Sequence, residues 1–213
     1  KTTKVHDIFK PDLIRGEASF AHKPDKKVFY IQDPKEGWRV FLRAVCFLHE
    51  EGKEESGRFL VLKKSGADAS GPVWEAPKGQ MEGKDGLAHP SWSVLQLLEQ
   101  NIRREVEEEA KVRKFVRLEY LPKLVIESKE AEYGPKDFFQ YHVFRAIVKP
   151  SVVQKVMKTF AYYKRHPEKF ALLDSDNNEK DEAIWYDPDK TQLMGKWSPT
   201  LVRLYLNYWK KRA

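Results

Sequence analysis

The sequence predicts an α+β domain. Two observations carry that expectation. Apolar strand-like stretches recur between about residues 28 and 80, and a helical stripe of apolar residues follows them. Three more strand-like stretches and two more helical ones then close the chain, so strands come first, then a helix, then strands and helix again. Such an order suits an α+β or a layered α/β/α arrangement, and no internal repeat or low-complexity tract competes with it.

Residues 1–27 are polar and basic, with Pro11 and Pro24. They read as a mostly irregular arm ahead of a domain spanning 28–213, with a short edge strand starting at "VFYIQD". "WRVFLRAVCFLHE" alternates and is rich in large apolar residues, so it reads as a strand. "EEGKEESG" is a turn, "RFLVLKK" the next strand and "SGADASG" a loop. "VWEAPKGQME" starts as a strand and breaks at Pro77 and Gly79. "GKDGLAHPSWS" holds several turn formers, and 86–92 reads as a surface loop. Leu95, Leu98, Ile102 and Val106 then recur at helical spacing behind Ser91 or Ser93 as cap, to about Ala110. "FVRLEYLPKLVIESK" and "DFFQYHVFRAIVK" read as strands, 151–165 as a helix and "EAIWYDP" as a short strand. The last fifteen residues before Ala213 read as a helix capped by Ser198, with Pro199 in its first turn.

Composition excludes several classes. With 41% hydrophobic residues the chain can bury a core. No run approaches the roughly 18 apolar residues that span a bilayer, so no membrane partner is expected and the chain reads as soluble and intracellular, cytoplasmic or mitochondrial. One cysteine, Cys46, rules out an intrachain disulfide and a Cys-rich zinc site. It lies in an apolar strand and reads as a core residue. The net charge of +7 favours an anionic partner such as nucleotide or RNA, and serves solubility equally well.

The stretch "REVEEEAKV", Arg104 to Val112, sets charged residues at five of its first six positions within a helix. Glu105, Glu108 and Glu109 stand at i, i+3 and i+4 and share one flank. A charged helix face exposed to water is the ordinary meaning of such a run. Three clustered carboxylates are also the oxygen donors that hard divalent cations take. Arg104, four residues before Glu108, is placed to hold that carboxylate. Upstream, "WEAPKGQMEGKD" supplies a strand ending in a Pro–Lys–Gly turn, whose carbonyls can ligate a cation and whose glycine admits close approach.

These residues resemble the box of the Nudix hydrolases, G-x5-E-x7-R-E-U-x-E-E-x-G-U with U bulky and apolar. Gly79 matches the first glycine. Arg104, Glu105, Val106, Glu108, Glu109 and Val112 match the second half in register. Asp85 stands for the first glutamate, and Lys111 for the last glycine. Eighteen residues, Gly86 to Arg103, separate Asp85 from Arg104 where the pattern has seven. The resemblance implies an α/β/α sandwich around a mixed central β-sheet. It also implies cleavage of a nucleoside diphosphate linked to another moiety, a dinucleoside polyphosphate or an RNA 5′ end, with magnesium, or manganese in its place.

On that resemblance Glu105, Glu108 and Glu109 hold the metal, the Lys78 carbonyl completes a shell, and Arg104 orients Glu108. Glu105 and Glu182 are both candidates for the general base, with Asp181 behind Glu182. Lys78, Gly79, Tyr141 and Arg145 are the candidates to meet substrate: in "DFFQYHVFR" a ring can stack on a base while a cation meets phosphate, although such aromatics are also ordinary core. His142, in the same stretch, reads as structural. The competing expectation, from another class, is a non-catalytic module of the same fold that binds RNA or belongs to a ribonucleoprotein assembly. The basic arm, the charge and the altered box favour it, and the three retained glutamates oppose it.

Overall fold

Residues 5–212 are described by this computed structural model. The first four residues of the expected arm and Ala213 lie outside them. In chain order the elements are β1 (Ile14–Phe20), β2 (Lys23–Gln32), β3 (Arg39–Glu50), β4 (Leu60–Lys64), β5 (Trp74–Glu75), β6 (Lys78–Gln80), α1 (Gly83–Leu87), α2 (Val94–Ala110), β7 (Arg117–Tyr120), β8 (Ile126–Ser128), β9 (Asp137–Val148), α3 (Pro150–Arg165), α4 (Pro167–Phe170), β10 (Lys180–Trp185) and α5 (Trp197–Lys210). The chain is α+β, as its sequence predicts. It falls into two compact units, one made of the residues up to Val45 with Gly79–Ile102 and Tyr120–Val143, the other of Cys46–Lys78, Arg103–Glu119 and the residues from Phe144.

In the first unit β1 and β2 form an antiparallel hairpin with a register shift between Ala18 and Phe20. About half of the described part of the segment expected to be irregular is therefore strand, and β2 runs straight through the boundary drawn at residue 27. Pairing accounts for the difference. β1 has little apolar alternation of its own, and its ladder to β2 supplies the hydrogen bonds that its polar sequence does not advertise. β2 continues antiparallel onto β3, and β8 onto β9. Asp33 fixes the turn after β2, its Oδ1 accepting the Lys35 and Glu36 amides at 2.8 and 3.0 Å. Arg39 and Asp137 form a two-pronged ion pair, both contacts at 2.8 Å.

α2 starts with a capping box. Ser93 Oγ accepts the Gln96 amide at 3.2 Å, and Gln96 Oε1 accepts the Ser93 amide at 2.8 Å. The 86–92 segment lies at the surface as expected, with Leu87, Ala88, Pro90 and Ser91 exposed, but it is anchored. Gly86 ends up inside a short helix, where an added Cβ would lie 2.1 Å from the Phe29 ring. Arg15 donates to the carbonyls of His89, Pro90 and Trp92. Those anchors involve a glycine and main-chain oxygens, which carry no hydrophobic signal.

The second unit contains the antiparallel sheet β10-β4-β5. Its α3 begins at Pro150, in the first helical position after Lys149, and buries Val153, Val156 and Phe160 at helical spacing. Its α5 begins at Trp197 rather than after Ser198. Ser198 is buried, and its hydroxyl lies 3.3 Å from Glu75 Oε2 instead of capping the helix. β3 and β9 pass through both units and are buried on both faces almost throughout. That is why their sequences read as long apolar runs. Cys46 sits within β3, fully buried, and burial pushes its thiol far above the ordinary range. Among the described residues no helix is long and apolar enough to cross a membrane.

Candidate active site

The helix α2 buries a stripe of 97, 98, 101, 102, 105, 106, 109 and 110, two residues wide at each turn. Glu105 and Glu109 therefore sit on the buried stripe itself, not on an exposed flank, and Glu108 is half-buried beside them. A carboxylate placed there needs partners. Arg104 Nη2 meets Glu105 Oε1 at 2.9 Å and Arg104 Nη1 meets Glu108 Oε2 at 3.2 Å, so one guanidinium holds two box carboxylates. The Lys78 main-chain N–H donates to Glu109 Oε2 at 3.1 Å. The Pro–Lys–Gly turn and the acidic helix are thus joined, although thirty-one positions separate them.

Beyond the predicted residues, the structure adds Glu75 and Lys180. Lys180 is buried, its ammonium bonded to Glu75 Oε1 and 3.9 Å from Glu109 Oε1. Lys78 Nζ lies 3.2 Å from Glu75 Oε2. Two sets of ion pairs thus lie along the helix: Arg104 with Glu105 and Glu108, and Lys78 and Lys180 with Glu75 and Glu109. Burial is the largest influence on Glu109 and raises its pKa to about 8, with Glu75 and Glu105 pushing the same way against Lys180. Burial acts on Glu75 too, but Lys78 and Lys180 outweigh it and hold that carboxyl below its ordinary value. Lys180 is thus invested mainly in Glu75, and Glu109 is left short of positive charge.

The position of Lys180 follows from a bulge. In the β10–β4 ladder Lys180 pairs with Lys64, but Glu182 pairs with Lys63 and Ala183 with Leu62. Asp181 is the extra residue. Cross-strand partners point to one side of a sheet, and Leu62 is also the partner of Glu75. The bulge therefore turns Lys180 to the side of Ala183, Leu62 and Glu75. Glu182 faces the opposite side with Lys63, in a groove of about 210 Å³ that Tyr163, Lys164 and Phe170 also line. Asp181 is taken up by Lys63 Nζ at 2.8 Å and the Gly66 amide at 2.9 Å. Strict alternation, the only guide a sequence offers here, misses Lys180. Glu75 carried a usable signal, as an acidic residue between Trp74 and Ala76 in a buried two-residue strand.

The remaining candidates fall elsewhere. Arg145 is buried with its guanidinium 3.9 Å over the Trp209 ring of α5. In the first unit, Tyr141 is buried opposite Ile126, with the Arg43 guanidinium 5.5 Å from its ring. Gly79 lies in β6 and Asp85 in α1, also in that unit. His142 is fully buried between Tyr120 and Gln140, its Nδ1 2.7 Å from the Tyr120 hydroxyl and its Nε2 2.9 Å from Gln140 Oε1. Burial lowers its pKa to about 3.

The donor chemistry fits a hard divalent cation: buried carboxylate oxygens, one of them short of compensating charge, beside a main-chain turn. The side chains are not yet gathered on one point, since among the described residues no three Asp, Glu, His or Cys groups are set to hold a metal ion. They are drawn instead towards Arg104 and Lys180.

No protein-family model and no curated protein matches the chain. Solved structures to which it is similar include three of different kinds. One is a NUDIX hydrolase from Nitrosomonas europaea, at 13% identity over 79% of this chain and 90% of that one, with a TM-score of 0.44. Another is an Ap4A hydrolase binary complex from C. elegans, at 16% identity over 81% of this chain and 99% of that one, with a TM-score of 0.44. A third is the complex between the C-terminal domain of mouse MUTYH and human PCNA, at 12% identity over 79% of this chain and 88% of that one, with a TM-score of 0.41.

Proposed function

We propose that this chain is a magnesium-dependent pyrophosphohydrolase of the Nudix type, acting on a nucleoside diphosphate-linked substrate such as a dinucleoside polyphosphate or an RNA 5′ end. The observation that carries the reading is the bond from the Lys78 amide to Glu109. It joins the two halves of the altered box, the turn and the acidic helix, despite the long segment between them.

Glu105, Glu108 and Glu109 would hold the metal, with the Lys78 carbonyl beside them. Bound magnesium, or manganese, would neutralise the pyrophosphate and acidify a water. The protein's own residues prepare that site. Arg104 fixes the rotamers of Glu105 and Glu108, and the Lys78 amide orients Glu109. For the proton of the attacking water we favour Glu105 over Glu182, because Glu182 faces the other side of its sheet. The Lys78 ammonium and the Gly79 main chain are the nearest of the proposed substrate contacts to the box in sequence. Tyr141 and Arg145 stay proposals of lower rank, since both are buried in packing.

One observation favours the non-catalytic reading, a module binding RNA or seated in a ribonucleoprotein assembly: a lysine ammonium stands among the carboxylates. Cleavage of a panel of nucleotides, dinucleoside polyphosphates and 5′-triphosphate RNA, followed by chromatography of the nucleotide, pyrophosphate and phosphate products with and without magnesium, separates the two. Magnesium-dependent cleavage is expected. Glu108→Gln and Glu109→Gln should each lower turnover by orders of magnitude with the fold kept. Cleavage of no substrate in the panel, or wild-type turnover in either variant, overturns the reading.

A further inference from the structure

We propose that Lys180 is the built-in cation of the acidic cluster and competes with a divalent metal for Glu109, so that it sets the metal affinity of the site. The inference rests on the metal-site reading above and concerns a residue outside the box.

Lys180 is 4% exposed, with its ammonium between Glu75 and Glu109. The contacts of the two glutamates are unequal. Glu75 has three partners, since Lys78 Nζ at 3.2 Å and the Ser198 hydroxyl at 3.3 Å share its second oxygen. Glu109 has the Lys78 amide on Oε2, and its Oε1 faces Lys180 at 3.9 Å. A metal on Glu109 Oε1 would bind at about 2.1 Å, within a few ångströms of the ammonium. Between two cations so close, in a site screened from water, repulsion is strong. Metal and ammonium therefore exclude one another at that oxygen, and Lys180 must withdraw towards Glu75 before a metal can be held. Ordinary strand alternation would not have delivered a lysine to this place. The bulge at Asp181 does so.

Removing the ammonium leaves Glu75 with Lys78 and Ser198 but leaves Glu109 with the Lys78 amide alone, so a second variant accompanies the first. The test is Mn2+ binding to the whole chain, followed by electron paramagnetic resonance, with melting temperature recorded with and without Mn2+. Lys180→Met is expected to bind Mn2+ about tenfold or more tighter than wild type. Its melting temperature should rise more on Mn2+ addition, as linkage requires. The double variant Glu75→Gln/Lys180→Met, which removes the ion pair as a unit, should show the same gain and decides the matter if Lys180→Met does not fold. Adding Glu109→Gln to either should abolish the gain. A lysine with a purely structural role would change stability and leave Mn2+ affinity where it was. If wild type binds Mn2+ and the folded variants bind it no tighter, the role of Lys180 is overturned and the metal site stands. If neither wild type nor variants bind Mn2+, the metal-site reading falls and this proposal with it.

Discussion

Lys111 ends α2 with φ at 61°, the left-handed region where glycine is at ease and other residues are strained by about 1–2 kcal/mol. Its side chain offsets part of that cost. Nζ donates to the carbonyls of Glu108 and Asn177, both at 2.5 Å, and so satisfies the helix end that the strained residue leaves open. Lys111→Ala keeps the strain and loses both bonds, and should destabilise the protein by about 1–2 kcal/mol. Lys111→Gly loses the bonds but relieves the strain, and should unfold in urea at a midpoint above that of the alanine variant. Equal midpoints would show that the backbone there is unstrained. His142 and His49 give a second prediction. Burial holds both neutral, at pKa values of about 3 and about 4. The unfolded chain protonates these residues near pH 6.5, the folded chain much lower, so the unfolded state binds more protons in between. Stability should be full above pH 6.5 and fall as pH drops towards 4. His142→Asn should reduce the loss between pH 7 and pH 5 in urea titrations, and an unchanged loss would exclude His142 as its source.

At the scale of elements, the capping box and the 83–92 segment are open to test. Ser93→Ala should cost about 1 kcal/mol, since one amide at the start of α2 loses its acceptor. Gly86→Ala should cost about 1–3 kcal/mol, because its methyl would run into the Phe29 ring. Gly71→Ala, where the nearest atom would be 3.5 Å away and the backbone needs no left-handed conformation, should be tolerated. Thermal melts of the three variants check the ranking. Shortening 86–92 to the spacing of the family's box should accordingly lower the melting temperature, against the expectation for a free loop. If it does not, the Arg15 contacts to His89, Pro90 and Trp92 contribute little.

At the scale of the whole molecule, the +7 charge has a surface to act through. Lys149, Lys155, Lys158, Lys164 and Arg165 around α3, and Lys210, Lys211 and Arg212 at the other end of the unit's chain, are all exposed. Lys155 also borders an open groove of about 660 Å³ with Lys111, Lys114, Tyr163 and Asn177. If an RNA 5′ end is the substrate, its following nucleotides should lie on such cations, and affinity should fall with salt by about 0.7 in log–log slope per phosphate contact. A dinucleoside polyphosphate should show a shallower slope. Both are measured on a Glu105→Gln protein, and equal slopes would leave the small nucleotide as the better substrate.

The sequence by itself determined the α+β class, the three long helices, the buried strands β3 and β9 and the acidic run of α2. Each rests on a local period or on a run of apolar residues, which neighbours in the chain suffice to define. The Arg104–Glu108 pair was legible for the same reason, being one helical turn apart. Tertiary structure alone decided that Glu105 and Glu109 are buried, because which flank of a charged helix meets the core depends on what is packed there. It alone turned the basic N-terminal segment into β1, through a partner strand. It alone placed Lys180 beside Glu75 and sent Glu182 to the far side of its sheet, since a single extra residue in one strand reverses the facing of every residue beyond it, and no local pattern in "KDEAIWY" marks where that residue lies.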